Sequence, residues 1–214
     1  MRTAAVLISA YRRGMIHEAE VFILADRAAV AVFGSIRPEQ WSSVLAPIFD
    51  MPGADQPQPL RQAINHYAYD NAWVPDMLAG RTMSQVGVDH FDGDLLGDRP
   101  AEAIARISAA AVGAATHVHD PELVVHCSYG DCGVADYFWQ LNIARSLSAH
   151  DVATHIGLPF QLTEDLSRAM FEGTAPTAEM WRSFGIYREE VPVPQDASWR
   201  ERFLGLTGRL TAPG

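Results

Sequence analysis

Apolar residues recur at helical spacing in four long stretches of this chain. Between residues 18 and 35 they fall at Val21, Leu24, Ala25, Ala28 and Val32, and Gly34 and Pro38 close the run. Residues 59–79 repeat the pattern with Leu60, Ile64, Tyr67 and Val74 on one face, and Pro59 suits a first helical turn. Residues 100–115 form an alanine-rich third helix. A fourth spans 134–156 and is stopped by Gly157 and Pro159. Shorter helical pieces are predicted at 37–41, from Thr163 with Glu164 and Asp165 in its first turn, and at 179–184. The tail from Val191 onward carries prolines and then a weak helical pattern.

The intervening segments differ in character. Residues 50–59 hold three prolines and a glycine and read as a loop, and the glycine- and aspartate-rich stretch 80–99 reads as a long surface connection. Residues 117–133, with Leu123-Val124-Val125 and Gly130-Asp131, read as extended structure or a loose hairpin. Four long helices with little strand signal predict an all-α fold: a four-helix bundle with a short extended segment between helices three and four and a C-terminal helical tail. The domain is expected over 15–214, preceded by an N-terminal extension at 1–14.

Composition narrows the function. The net charge of -10 removes the clustered positive charge that nucleic acid or an anionic membrane surface would need. All sixteen basic residues are arginine, so lysine Schiff bases, lysine general bases and a P-loop are excluded. Such lysine-free composition points to a GC-rich, actinobacterial coding sequence. The apolar run from Ala4 to Ala10 is followed by Arg12-Arg13 and by no clean small-residue cleavage site, unlike a secretory signal. Two cysteines, Cys127 and Cys132, are too few for a disulfide scaffold and their spacing is weak for zinc; a reduced, cytoplasmic protein is expected.

Several blocks together resemble one family. They are Leu60-Arg61-Gln62-Ala63-Ile64-Asn65-His66 with Asn71-Ala72-Trp73-Val74-Pro75, Leu96-Gly97-Asp98-Arg99-Pro100, Gly130-Asp131 with Ala135-Asp136-Tyr137, Arg145-Ser146-Leu147 through Asp151, and Val191-Pro192-Val193-Pro194 with Leu206-Thr207-Gly208-Arg209. In order and spacing they resemble the mycothiol-dependent maleylpyruvate isomerase family of the DinB-like superfamily. The resemblance implies a metal held by a histidine on the second helix and a glutamate and histidine four residues apart on the fourth. His66 matches the first ligand, but the other two positions carry Ala144 and Ser148. Alanine offers no donor and serine a poor one, so the metal site as usually built is absent. The loop before the second helix departs as well, reading Ala46-Pro47-Ile48-Phe49-Asp50-Met51.

One face of the fourth helix runs through Tyr137, Leu141, Ala144, Ser148, Asp151 and His155. Asp151 and His155 stand four apart and could pair as carboxylate and imidazole, and His66 and Asp70 repeat that spacing on the second helix. A carboxylate that orients an imidazole is suited to acid–base catalysis. The candidate catalytic residues are therefore His66, Asp70, Ser148, Asp151 and His155. Their bland counterparts are a core histidine at 66 and a solvated pair near the helix end. Trp73, Trp139 and His150 are candidates for substrate contact, with the tryptophans first of all core residues; His117, His119 and His126 are expected to decorate an exposed loop.

The leading expectation is a metal-independent small-molecule isomerase or cyclase of actinobacterial specialised metabolism, working by proton transfer without a cofactor. Two alternatives stand beside it. One is a metal- and mycothiol-dependent isomerase or S-transferase with a relocated zinc or similar ion, drawn from His66, Asp70, Asp151 and His155. The other is a non-catalytic ligand-binding or regulatory homologue. The expected partner is a small molecule, not nucleic acid or membrane, and a homodimer is compatible with the sequence.

Overall fold

The computed structural model describes residues 14–210, so the expected N-terminal extension, apart from Gly14, and residues 211–214 lie outside it. The chain is mainly helical. Four long helices dominate: α1 (His17–Phe33), α2 (Leu60–Leu78), α4 (Pro100–Ala115) and α5 (Val134–His155), with a four-residue α3 (Met83–Val86) in the connection after α2. Beyond them come α6 (Glu164–Thr174), α7 (Ala178–Ser183) and α8 (Trp199–Leu206). No described helix is long and apolar enough to cross a membrane.

The local signals act much as read. Thr163 caps α6 by accepting the Leu166 N–H, and Gly157 takes φ +67 just past α5, a left-handed turn that costs glycine little. Three details differ. Pro59 stands at the N-cap of α2 rather than inside it, because Gln58–Pro59 forms a two-residue strand, β2, antiparallel to β1 (Val44–Leu45). The tail is better ordered than its weak periodicity suggests: Ser198 and Glu201 form a reciprocal capping box that starts α8. The segment before α5 is a regular hairpin of β3 (Val124–Cys127) and β4 (Gly130–Gly133), with Val125 opposite Cys132 and Cys127 opposite Gly130.

Helix α5 packs along α1, α2 along α4, and α1 also lies against α4, while α2 and α5 make little direct contact. The apolar core falls into two clusters. One holds Val21, Ala25, Ala29, Leu60, Ile64, Ile104, Ile107, Ile143 and Leu147 with the C-terminal helices. The other holds Phe22, Ile23, Trp73, Val74, Met77, Ala111, Ala115, Val134, Tyr137 and Phe138 under the hairpin.

Between the two clusters, at the same level on every long helix, lie buried polar residues: Asp26 on α1, Asn71 on α2, Ser108 on α4 and Arg145 on α5. Asp26 accepts hydrogen bonds from Tyr67 Oη (2.5 Å), Asn71 Nδ2 (2.6 Å) and the Ser108 hydroxyl, and Arg145 Nη2 donates to Asn71 Oδ1. The Arg145 guanidinium also lies over the rings of Phe22 (4.9 Å) and Tyr67 (5.3 Å). A buried carboxylate and guanidinium are tolerable only with such partners; among the guanidinium nitrogens, Nε has no hydrogen bond and faces the Asp26 carboxylate at 3.5 Å. The layer therefore fixes the register of all four long helices against one another.

Candidate functional site

Because α2 and α5 lean on other helices rather than on each other, a cleft opens between them, roofed by the hairpin. It encloses about 280 Å³. Its walls are Tyr69, Asp70, Trp73 and Met77 from α2, Tyr137, Leu141 and Ala144 from α5, and Cys127 to Tyr129 from the hairpin turn. The polar layer lies next to it, since Asn71 and Arg145 follow directly on Asp70 and Ala144.

Asp70 is the carboxylate of this wall. Burial pushes its carboxyl above the usual range, while the charges of His66 and Arg145 pull it partway back. Its side chain keeps 38% exposure through the mouth, so water moderates the displacement. His66 lies one turn earlier, with Nε2 3.8 Å from Asp70 Oδ2, and its ring is near-parallel to that of Tyr69. Trp73 is buried, and its indole Nε1–H has no hydrogen-bond partner among the described residues. Burial likewise raises the Tyr137 phenol, which stays neutral and a potential donor.

A larger cavity of about 970 Å³ adjoins this one on the other side of the hairpin. Its walls include Met51, Trp139, Gly173, Met180, Trp181 and Phe184. Tyr129 and Gln140 line both spaces, and the Tyr129 hydroxyl donates to Gln140 Oε1 at 2.6 Å, forming a partition between them.

The residues singled out from the sequence are thus dispersed. Asp70 and Trp73 line the inner cavity, and His66 stands beside Asp70 without lining it; Trp139 lines the outer one. His66 is not a core histidine, being 75% exposed. The expected pair of Asp151 and His155 does not form. Asp151 accepts two hydrogen bonds from Arg209 Nε (3.0 and 3.2 Å), a guanidinium that also donates to the carbonyls of Ile48 and Thr207. The Ser43 hydroxyl donates to the Gln40 carbonyl, which leaves His155 Nε2–H to donate to Ser43 Oγ at 2.8 Å. These two side chains anchor the C-terminal segment and the loop after α1.

His150 is half-buried at the same end. Burial lowers its pKa, the charge of Asp151 opposes this, and Arg209, Arg188 and Arg200 reinforce it. Ser148 is half-buried one turn beyond Ala144 and is not part of the inner cavity wall. His117 and His119 are exposed as expected, but His126 is tied down on β3 by Asp131 at 2.7 Å.

The metal implied by the family resemblance does not fit these residues. Its positions hold one exposed imidazole, a methyl group and a hydroxyl, and the relocated set of His66, Asp70, Asp151 and His155 is split between the cleft and the C-terminal anchor. Among the described residues no group of three His, Cys, Asp or Glu side chains is gathered to hold an ion.

Sequence reasoning missed the polar layer beside the cleft. A signal was present: Asp26 interrupts the face of Phe22, Ala29 and Phe33, and Arg145 the face of Phe138, Ala149 and Val152. A charge at a core position of each of two helices is the mark of a buried pair. Compared with protein-family models, curated proteins and solved structures, the chain matches none.

Proposed function

We propose that the chain is a small-molecule enzyme that moves protons at the inner cavity, in an isomerisation or cyclisation, with Asp70 as the acid–base group. We further propose that its four long helices constitute a DinB-like four-helix bundle. One observation carries the functional reading: a carboxyl lifted by burial shares a cavity wall with an unpaired, buried indole N–H. A raised carboxylate is a stronger base at neutral pH, and a buried donor left without a partner gains a hydrogen bond when a substrate oxygen reaches it.

The chemistry these residues support is proton abstraction next to a carbonyl. Asp70 takes a proton from carbon, Trp73 Nε1–H donates a hydrogen bond to the oxygen as negative charge develops on it, and Asp70 returns the proton at a second carbon. His66, exposed at the mouth, sets the charge felt by Asp70 and can relay its proton to water. Tyr69, Trp73 and Tyr137 favour a flat, unsaturated or aromatic substrate.

The test is solvent exchange. Purified protein in D2O, incubated with a panel of aryl- and alkenyl-substituted carbonyl compounds, is expected to incorporate deuterium into at least one, read by NMR. Asp70→Asn should lower that rate on the order of 10²-fold or more. Binding detected by thermal shift with no exchange in any compound would favour a ligand-binding protein instead.

A further inference from the structure

The hairpin that roofs the cleft carries both cysteines of the chain. Cys127 on β3 and Cys132 on β4 stand diagonally across the register set by Val125 opposite Cys132 and Cys127 opposite Gly130. Side chains so related share a face of the hairpin, and the two Sγ atoms are 3.7 Å apart, in contact. Both are half-buried, and they sit on either side of the partition: Cys127 in the wall of the inner cavity, Cys132 in that of the outer one. The two-residue turn between the strands, Ser128-Tyr129, is exposed, and Gly130 follows it with φ +124.

We propose that Cys127 and Cys132 are a redox-active dithiol, oxidised to a reversible intrahairpin disulfide by exchange with low-molecular-weight disulfides. A disulfide requires the sulfurs at about 2.05 Å, so the pair must close by less than 2 Å, within reach of side-chain rotation and added hairpin twist. Among the described residues no third donor is gathered around the two sulfurs to make a metal site of them.

The exchange proceeds in two displacements. The Cys127 thiolate attacks one sulfur of the incoming disulfide, forming a mixed disulfide and releasing one thiolate. The Cys132 thiolate then attacks Cys127 Sγ, forming the internal bond and expelling the second thiolate. Two thiols of the protein are oxidised, one small disulfide is reduced to two thiols, and the two cysteine protons end on the released thiolates. The order follows from Cys132. Burial first, then its hydrogen bond to Cys127 and the charge there, push its thiol up to about 11. It therefore holds its proton while Cys127 attacks. Once Cys127 is bonded to the incoming group, its share of that elevation is gone and Cys132 can resolve the intermediate.

The experiment uses the full chain, folded, equilibrated with oxidised and reduced glutathione at graded ratios, quenched with acid, alkylated, and weighed intact. Wild type is expected to lose two hydrogens, bind no alkylating agent, carry no glutathione, and return to the reduced mass with dithiothreitol. Cys127→Ser should remain reduced or react slowly. Cys132→Ser should stop at a stable glutathione adduct. The proposal is overturned if wild type accumulates the glutathione adduct without closing, if it stays reduced at every ratio, or if the bridge appears only when urea has unfolded the protein. The measurement needs no substrate, so it stands or falls apart from the proton-transfer reading.

Discussion

Asp26 and Arg145 meet in the middle of the protein, with side chains 0% and 1% exposed and Oδ1 3.5 Å from Nε. At that distance they interact by charge rather than by a direct hydrogen bond, and Asn71 bridges them with a bond to each. Removing either partner strands the other charge between two apolar clusters. Asp26→Ala and Arg145→Ala are each expected to cost about 3–5 kcal/mol in guanidinium unfolding at pH 7. The double variant should cost less than the sum, since it leaves no unpaired charge. Additive losses would show that the two charges do not compensate one another.

Asp70 makes stability depend on pH in a definite direction. Its folded pKa is raised by burial, so the folded protein holds this proton to higher pH than the unfolded chain. Its contribution is complete below the unfolded value of about 3.9 and is lost as pH rises through the folded value. Asp70→Asn cannot ionise and escapes that loss. Its melting temperature should match wild type near the lower end of this window and exceed it increasingly toward neutrality. A difference that is flat with pH, or that favours wild type at neutral pH, would mean the carboxylate is well solvated or paired.

His66 separates activity from stability. Because it is exposed, His66→Gln should change unfolding free energy by no more than about 0.5 kcal/mol. If it relays the proton of Asp70, deuterium exchange should still fall, and the pH profile of the remaining activity should shift because a charge beside Asp70 is gone. Full exchange with an unchanged profile would reduce His66 to a surface residue.

Gly173 on α6 meets the Trp139 indole face on, so that a Cβ at this position would overlap the Cη2, Cζ2 and Cζ3 atoms of the ring. Gly173→Ala gains about 1 kcal/mol of helix propensity but must displace the indole, an overpacking cost of about 1–3 kcal/mol. The expected result is a small net loss of stability with an altered near-ultraviolet circular dichroism spectrum, because Trp139 moves within the outer cavity. An unchanged spectrum together with a raised melting temperature would show that the tryptophan has room to yield.

Much of this architecture was legible along the chain because its causes are local. Helical periodicity located all four long helices to within two residues at each end. Turn chemistry at Thr163 and Gly157 marked a start and a stop, and the i,i+4 step placed His66 beside Asp70. The same step put Asp151 four residues before His155, yet that pair does not form. Spacing on a helix says which side chains can meet, but a distant guanidinium at Arg209 and a hydroxyl at Ser43 competed for them and won. The cleft is likewise a tertiary outcome. It exists because α2 buries its apolar face against α4 and α5 against α1, a choice of partner that no single helix encodes. Only when four helices are brought together do Asp26, Asn71, Ser108 and Arg145 become one hydrogen-bonded layer rather than four polar residues out of place.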